Sequence, residues 1–471
     1  GVRQIFNDGI GKDPSRNIEF ADGTWLAFGR STCGGGCLQQ FSVRYDMNLV
    51  RTSLLNGVAV VIKMLTLLGL NKVLAVYVGP AGYAAIGQFQ NALQMITTFT
   101  GGAISNGVVK YTAQYHDRPD RQLKLWRTAG TVTIVGSVFV GVLVALLHRQ
   151  LASVFLKDES LGSVFLWFAG GVVFFSLNTL LLAILNGRKE ILLYVAANIA
   201  GSLLSFGVTF YLAIQYGLFG ALIALVIYQS VSFIVTLFLC LRTKWFKISS
   251  LFGRLDKETL HNLSGYFLMA LVSAACVPLG QMLVRNHLGS TLGWEVAGYW
   301  EAMWRLSAAY LLLVTTTLSV YYLPRLSEMK TGGEIKKEVL NGYRLILPVA
   351  VVAGLLMYLL RDTIVSVLFT SEFYPVRDFF SGQVVGDSLK ICSWIMAYVM
   401  LSKAMVKLFI VTEILSCVSF YILSVVFTDL WGMAAVTWAY AFNYALYSLI
   451  MYVFVYRKLE DYSASVSEKA T

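Results

Sequence analysis

The sequence predicts an all-α polytopic membrane protein in which twelve spanning helices form two six-helix lobes. Three observations carry this. The chain is 57% hydrophobic and only 13% charged, with a mean hydropathy of +0.67, whereas soluble domains are roughly 45–50% apolar and about 25% charged. Apolar runs of about 20 residues, the length that crosses a bilayer as a helix, recur along most of the chain. The two halves also echo each other. Ala81-Gly82-Tyr83 returns as Ala297-Gly298-Tyr299, and Thr97, Thr98 and Thr100 return as Thr315, Thr316 and Thr317. A similar helix pair in each half marks a two-lobed transporter. Barrel strands would be shorter and would alternate polar with apolar residues.

Residues 1–46 stand apart. They contain no apolar run and no helical period, and their charge is balanced. They lack the apolar core of a signal peptide. They are expected to be a non-membrane extension, disordered or not native, because Met47-Asn48-Leu49-Val50-Arg51 reads like a natural start before the first span. Cys33-Gly-Gly-Gly-Cys37 has no second ligand pair, so it is a weak metal signal. Cys240, Cys276, Cys392 and Cys417 fall in apolar runs, where a free cysteine acts as a small hydrophobe.

The spans follow in order at 53–78, 83–109, 128–147, 161–185, 191–214 and 218–241, then 264–288, 297–323, 340–360, 384–404, 408–428 and 432–456. They are numbered 1 to 12 below. Residues 47–241 make an N-lobe, 242–262 a cytoplasmic linker, 263–458 a C-lobe and 459–471 a cytoplasmic tail. Within the linker, residues 251–263 are expected to form a short surface helix. The echo places span 2 on span 8, so the repeat is parallel.

Loop charge sets the orientation. Basic residues gather after even-numbered spans: Lys110, Arg118, Arg121, Lys124 and Arg127 after span 2, Arg242, Lys244, Lys247, Arg254 and Lys257 after span 6. The odd-numbered exits carry few, Arg285 among them. By the positive-inside rule, both ends are then cytoplasmic. The same rule accounts for the net charge of +11 and removes it as a sign of nucleic-acid binding.

Charges inside spans are the candidate site, because a charge at the bilayer centre costs roughly 3 kcal/mol on insertion scales and usually faces a cavity or a partner. Lys63 lies mid-span with no opposite charge within a turn. Glu301 and Arg305, at i, i+4, share a face of span 8 and can pair, as can Asp387 and Lys390, at i, i+3, in span 10. Arg344 and Glu413 lie near helix ends, from which long side chains can snorkel. Lys63, Arg305, Lys390 and Arg344 outnumber Glu301, Asp387 and Glu413, and a net positive cavity suits an anionic substrate. The aromatic stretch WEVAGYWEAMWRLSAAY around span 8 suits stacking on sugar faces or an interfacial belt. No GxxxxGK[ST] loop, HExxH motif or histidine cluster occurs, so no cofactor, metal or catalytic residue is expected.

Several stretches resemble the Wzx flippases of the polysaccharide transporter family, within the MATE/MurJ-type exporter superfamily. They are VGPAGYAAIGQF, VVKYTAQYHD, YFLMALVSAACVPLG, LSVYYLPRLSEM and the long LLRDTIVSVLFTSEFYPVRDFFSGQVVGDSLK. The resemblance covers Met47 to about Lys458 and points to the branch that exports enterobacterial common antigen or related O-antigen units. It implies a central cavity between the lobes and a bacterial inner-membrane location. It also implies an undecaprenyl-diphosphate-linked oligosaccharide as substrate, moved to the periplasmic leaflet by alternating access on a proton or sodium gradient. Polymerase and chain-length proteins of the same pathway are the implied partners. Related flippases hold the diphosphate with cations on the first and eighth helices, which Lys63 and Arg305 match by type and span. The competing readings are an ion-coupled antiporter of the same fold, which should show buried carboxylates without basic neighbours, and an O-antigen polymerase, which should show a large periplasmic loop. The longest such segment here is about 361–383.

Overall fold

The computed structural model describes residues 16–21, 24–32, 38–45, 47–318, 322, 325, 326, 329, 331–403 and 405–468. Cys33, Cys37 and most of the segment that ends span 8 lie outside them. The chain divides into two units, Gly1–Ala59 and Val60–Thr471. In the first, Arg16–Ala21, Thr24–Thr32 and Leu38–Tyr45 pair as an antiparallel meander. Period-two stretches such as Phe41, Val43 and Tyr45 are the strand signal there. The described residues of the second unit are all-helical.

Over the described residues, every predicted span falls on a helix. The helices are Met47–Tyr77, Gly79–Phe99 with Ser105–Gln114, Pro119–Leu146, Gly162–Gly187, Ile191–Leu241, Lys257–Thr291, Trp294–Thr317, Gly332–Leu359, Phe380–Ser402, Val406–Trp431 and Ala435–Glu468. Ile191–Leu241 holds spans 5 and 6. Its break is Gly217, at φ 54° and ψ −130°, a conformation open mainly to glycine. A Cβ on Gly220 would overlap the Leu212 carbonyl. Eight residues along a straight helix span about 12 Å, so the chain folds back here.

Span 2 departs from the single helix expected over 83–109. Thr97 and Thr98 donate to the carbonyls of Leu93 and Gln94, each at 2.7 Å. Thr100 turns to the Thr97 carbonyl and to Ser176 Oγ, and Gly101 takes φ 116°. Hydroxyls that bond back to the turn behind them bend helices, and the left-handed glycine completes the break. The echo keeps this chemistry: Thr316 and Thr317 donate to the carbonyls of Leu312 and Leu313.

Among the described residues, eight helices are long and apolar enough to cross a membrane by length and composition. One of them is Ile191–Leu241, with two spans. The three remaining spans, 2, 7 and 8, carry Gln88, Gln90, Asn91, Arg285, Glu301 and Arg305. These three helices pack against one another.

The linker also differs from expectation. Ile248–Leu251 is a 3-10 turn, and the helix that begins at Lys257 runs on into span 7. Asp256 caps it, accepting from the Thr259 amide at 2.9 Å, and the linker is tied to span 3 by Thr131–Gly253 and Thr128–Asp256 bonds. Two apolar cores flank the centre. One is built around Val108, Trp126, Leu181 and Ile184, the other around Ile335, Val339, Ile391 and Ile395. Tyr83, Phe89, Phe165, Trp300, Phe373 and Tyr440 belong to a third cluster between them.

Candidate functional site

The seam between the lobes is polar where the two halves meet. Glu301 is 3% exposed and lies between two guanidiniums. Its Oε2 accepts from Arg285 Nη2 at 2.6 Å, and its Oε1 accepts from Arg305 Nε at 2.8 Å. Both arginines then reach the N-lobe: Arg285 donates to Gln88 Oε1 at 2.8 Å and Arg305 to Gln90 Oε1 at 2.6 Å. Gln88 donates to Asn286 Oδ1 at 2.7 Å. One carboxylate against two guanidiniums leaves a positive excess, and Arg285 Nε has no partner. The pairing of Glu301 with Arg305 that the spacing permits is therefore formed. Loop charge counting places Arg285 among the exits, yet it is 1% exposed. Its position inside the apolar run QMLVRNHLG is the signal that the sequence offers.

One end of this seam is closed by close packing. A Cβ on Gly298 would overlap the Pro80 carbonyl, so the two Ala-Gly-Tyr echoes bring their helices into backbone contact. Tyr83 is fully buried beside them, with its hydroxyl on the Asn71 carbonyl at 2.8 Å. Its ring meets Phe373 edge-on at 5.2 Å, and Arg305 lies 5.3 Å from the ring centroid. Lys72 donates to the Phe369 carbonyl at 3.1 Å, adding span 1 to the closure.

A second cluster occupies the C-lobe. Asp387 is wholly buried. It accepts from Ser307 Oγ at 2.6 Å and Tyr310 at 2.7 Å on one oxygen, and from Tyr440 at 2.8 Å and Gln383 at 3.1 Å on the other. These donors join spans 8, 10 and 12. The pairing with Lys390 that the spacing permits is not formed: four donors already fill the carboxylate, and the Lys390 ammonium turns to aromatic rings. It lies 4.6 Å from the Trp304 centroid, 5.0 Å from Trp394, 5.4 Å from Tyr444 and 5.5 Å from Tyr440. Lys390 and Glu413 both line a chamber of about 330 Å³ between spans 7, 8, 10, 11 and 12.

The other two candidate cations stand apart from both clusters. Lys63 is exposed and has no hydrogen bond or ion pair among the described residues. At 100° per residue it points away from the exposed Val61 and Leu65 and along the side of buried Thr66 and Leu74. Arg344 is exposed on the same face as Leu345, Val352 and Leu355, the outer apolar face of its helix, as a snorkelling side chain would be.

The family model described as "Polysaccharide biosynthesis protein" matches residues 49–330. The lipid III flippase of Escherichia coli (strain K12) is 27% identical over 369 residues, 78% of this chain and 88% of that protein. Among solved structures, an inward-facing multidrug resistance MATE family transporter aligns with a TM-score of 0.72 at 12% identity, over 85% of this chain and 96% of that one. The lipid II flippase MurJ, in an inward closed conformation, aligns at 0.67 and 13%, over 88% and 90%. At these identities the structural likeness concerns the fold: twelve transmembrane helices in two lobes around a central cavity.

Proposed function

The chain belongs to the polysaccharide biosynthesis protein family, and from that premise we propose that it is a flippase. It would carry an undecaprenyl-diphosphate-linked oligosaccharide from the cytoplasmic to the periplasmic leaflet of a bacterial inner membrane. The observation that carries this reading is Lys63: a mid-span ammonium turned away from the exposed Val61 and Leu65, with no hydrogen bond or ion pair among the described residues. An ion in that position needs a counter-ion, and a diphosphate supplies one. The positive excess at Arg285, Glu301 and Arg305 draws the same headgroup towards the seam.

The proposed cycle follows from the seam. With the termini cytoplasmic, the Gly298–Pro80 contact lies at the periplasmic end, and the lobes are shut there. Outward opening must separate these backbones and break the Gln88–Arg285 and Gln90–Arg305 bonds. Hydrogen bonds to charged groups contribute about 1.5–3 kcal/mol each, so the closed state is held by only a few kcal/mol. A proton or sodium gradient acting on Glu301, Asp387 or Glu413 would bias the lobes, and the exported unit would pass to a polymerase and chain-length partner.

In cells lacking the native protein, the lipid-linked precursor should accumulate on the cytoplasmic leaflet and surface glycan should be lost. Lys63→Arg should restore export, and Lys63→Ala, matched for expression and insertion, should not. Precursor found on the periplasmic leaflet but unpolymerised in the deletion strain would contradict the reading and favour a polymerase.

A further inference from the structure

We propose that the chamber in the C-lobe is a subsite for one pyranose ring of the carried glycan; this rests on the flippase reading. The wall brings Trp304, Trp394, Tyr440 and Tyr444 around the Lys390 ammonium, each centroid 4.6–5.5 Å from Nζ. Aromatic faces offer the flat apolar surface that the C–H face of a pyranose covers. Polar groups for the hydroxyls stand beside them. Among the described residues Lys390, Glu413 and Gln281, all on the chamber wall, make no hydrogen bond or ion pair. Polar groups in a low-dielectric interior are expensive when unpaired. An ammonium donor, a carboxylate acceptor and an amide that does both match a ring carrying hydroxyl and amide groups.

Two features narrow the ligand class. The ammonium already occupies the centre of the rings, so it repels an organic cation from the position where cation–π attraction would hold it. The volume of about 330 Å³ sits at the small end of ligand pockets, roughly 300–1,000 Å³, which suits a single sugar and excludes the whole lipid-linked unit. The position fits as well. Spans 7 and 8 form both a chamber wall and the C-lobe side of the seam, so a glycan whose diphosphate lies near Arg305 has the chamber within the same lobe contact.

The test uses the full-length protein in liposomes, with the precursor extracted from a strain lacking it as the probe. The probe is taken either intact or trimmed by glycosidases to its first sugar. Trp394→Ala and Tyr444→Ala should slow transport of the intact carrier roughly tenfold, the loss of about one good contact, while the trimmed carrier moves at the wild-type rate. Trp394→Phe and Tyr444→Phe, which keep a ring, should restore the intact carrier, and size-exclusion profiles should match the wild type. Equal loss for both carriers, or no loss for either, overturns the subsite while leaving the flippase standing. Tetraphenylphosphonium binding that is lost in Glu413→Gln would also overturn it, assigning the chamber to organic cations. A wild-type protein that moves neither carrier sinks the flippase reading and the subsite together.

Discussion

Glu301 is the residue on which the seam depends. It pairs with Arg285 and Arg305 across two helices, and both arginines then bind glutamines of the other lobe. Removing one partner of a buried pair leaves an uncompensated charge and costs about 3–5 kcal/mol. Glu301→Ala should therefore lower the thermal midpoint far more than Gln90→Ala, which takes one hydrogen-bond partner from a half-buried guanidinium. A melt monitored by size exclusion would compare them, and equal shifts would contradict the assignment. The i, i+4 spacing makes the Glu301–Arg305 pair legible in the sequence. Arg285 is not legible from spacing, because its partner is on another helix. The same limit explains Asp387 and Lys390. Their spacing permits a pair, but Ser307, Tyr310 and Tyr440 come from spans 8 and 12, and no local pattern announces them.

At the scale of elements, hydropathy locates all twelve spans, but it does not show which of them meet at the seam. The glutamines, asparagine and charges of spans 2, 7 and 8 are the groups that meet at the seam. The break in span 2 follows from Thr97, Thr98, Thr100 and Gly101, all visible as residues. The kink itself depends on Ser176 and Thr133 of neighbouring spans. A Cβ on Gly101 would stand 2.6 Å from Thr133 Oγ1, at a φ of 116° that side chains avoid. Gly101→Val should thus cost about 1–3 kcal/mol as strained backbone and reduce the folded yield. Gly207→Val, in open space on span 5, is the control. Equal yields would show that the break is not needed.

For the whole molecule, the Ala-Gly-Tyr echo is the informative feature. Sequence alone places span 2 on span 8 through it, and in the fold the two copies meet at the sealed end. Gly298→Ala should push the Pro80 backbone away and weaken the closed state. Each 1.4 kcal/mol is about tenfold in population, so a cysteine at buried Asn91, in a cysteine-free background, should react with maleimide roughly tenfold faster. An unchanged labelling rate would show that the seam is not a gate. The periplasmic position of this seal depends on the orientation read from the loop charges, and glycosylation-site or cysteine mapping of both termini would verify it.

The central claim is translocation. The most direct measurement is the rate at which lipid-linked precursor, placed in one leaflet of purified proteoliposomes, becomes accessible to membrane-impermeant periodate on the other side. The account predicts a rate well above protein-free liposomes that falls in Lys63→Ala and returns in Lys63→Arg. A wild-type rate equal to the protein-free rate, with or without a proton or sodium gradient, would contradict it.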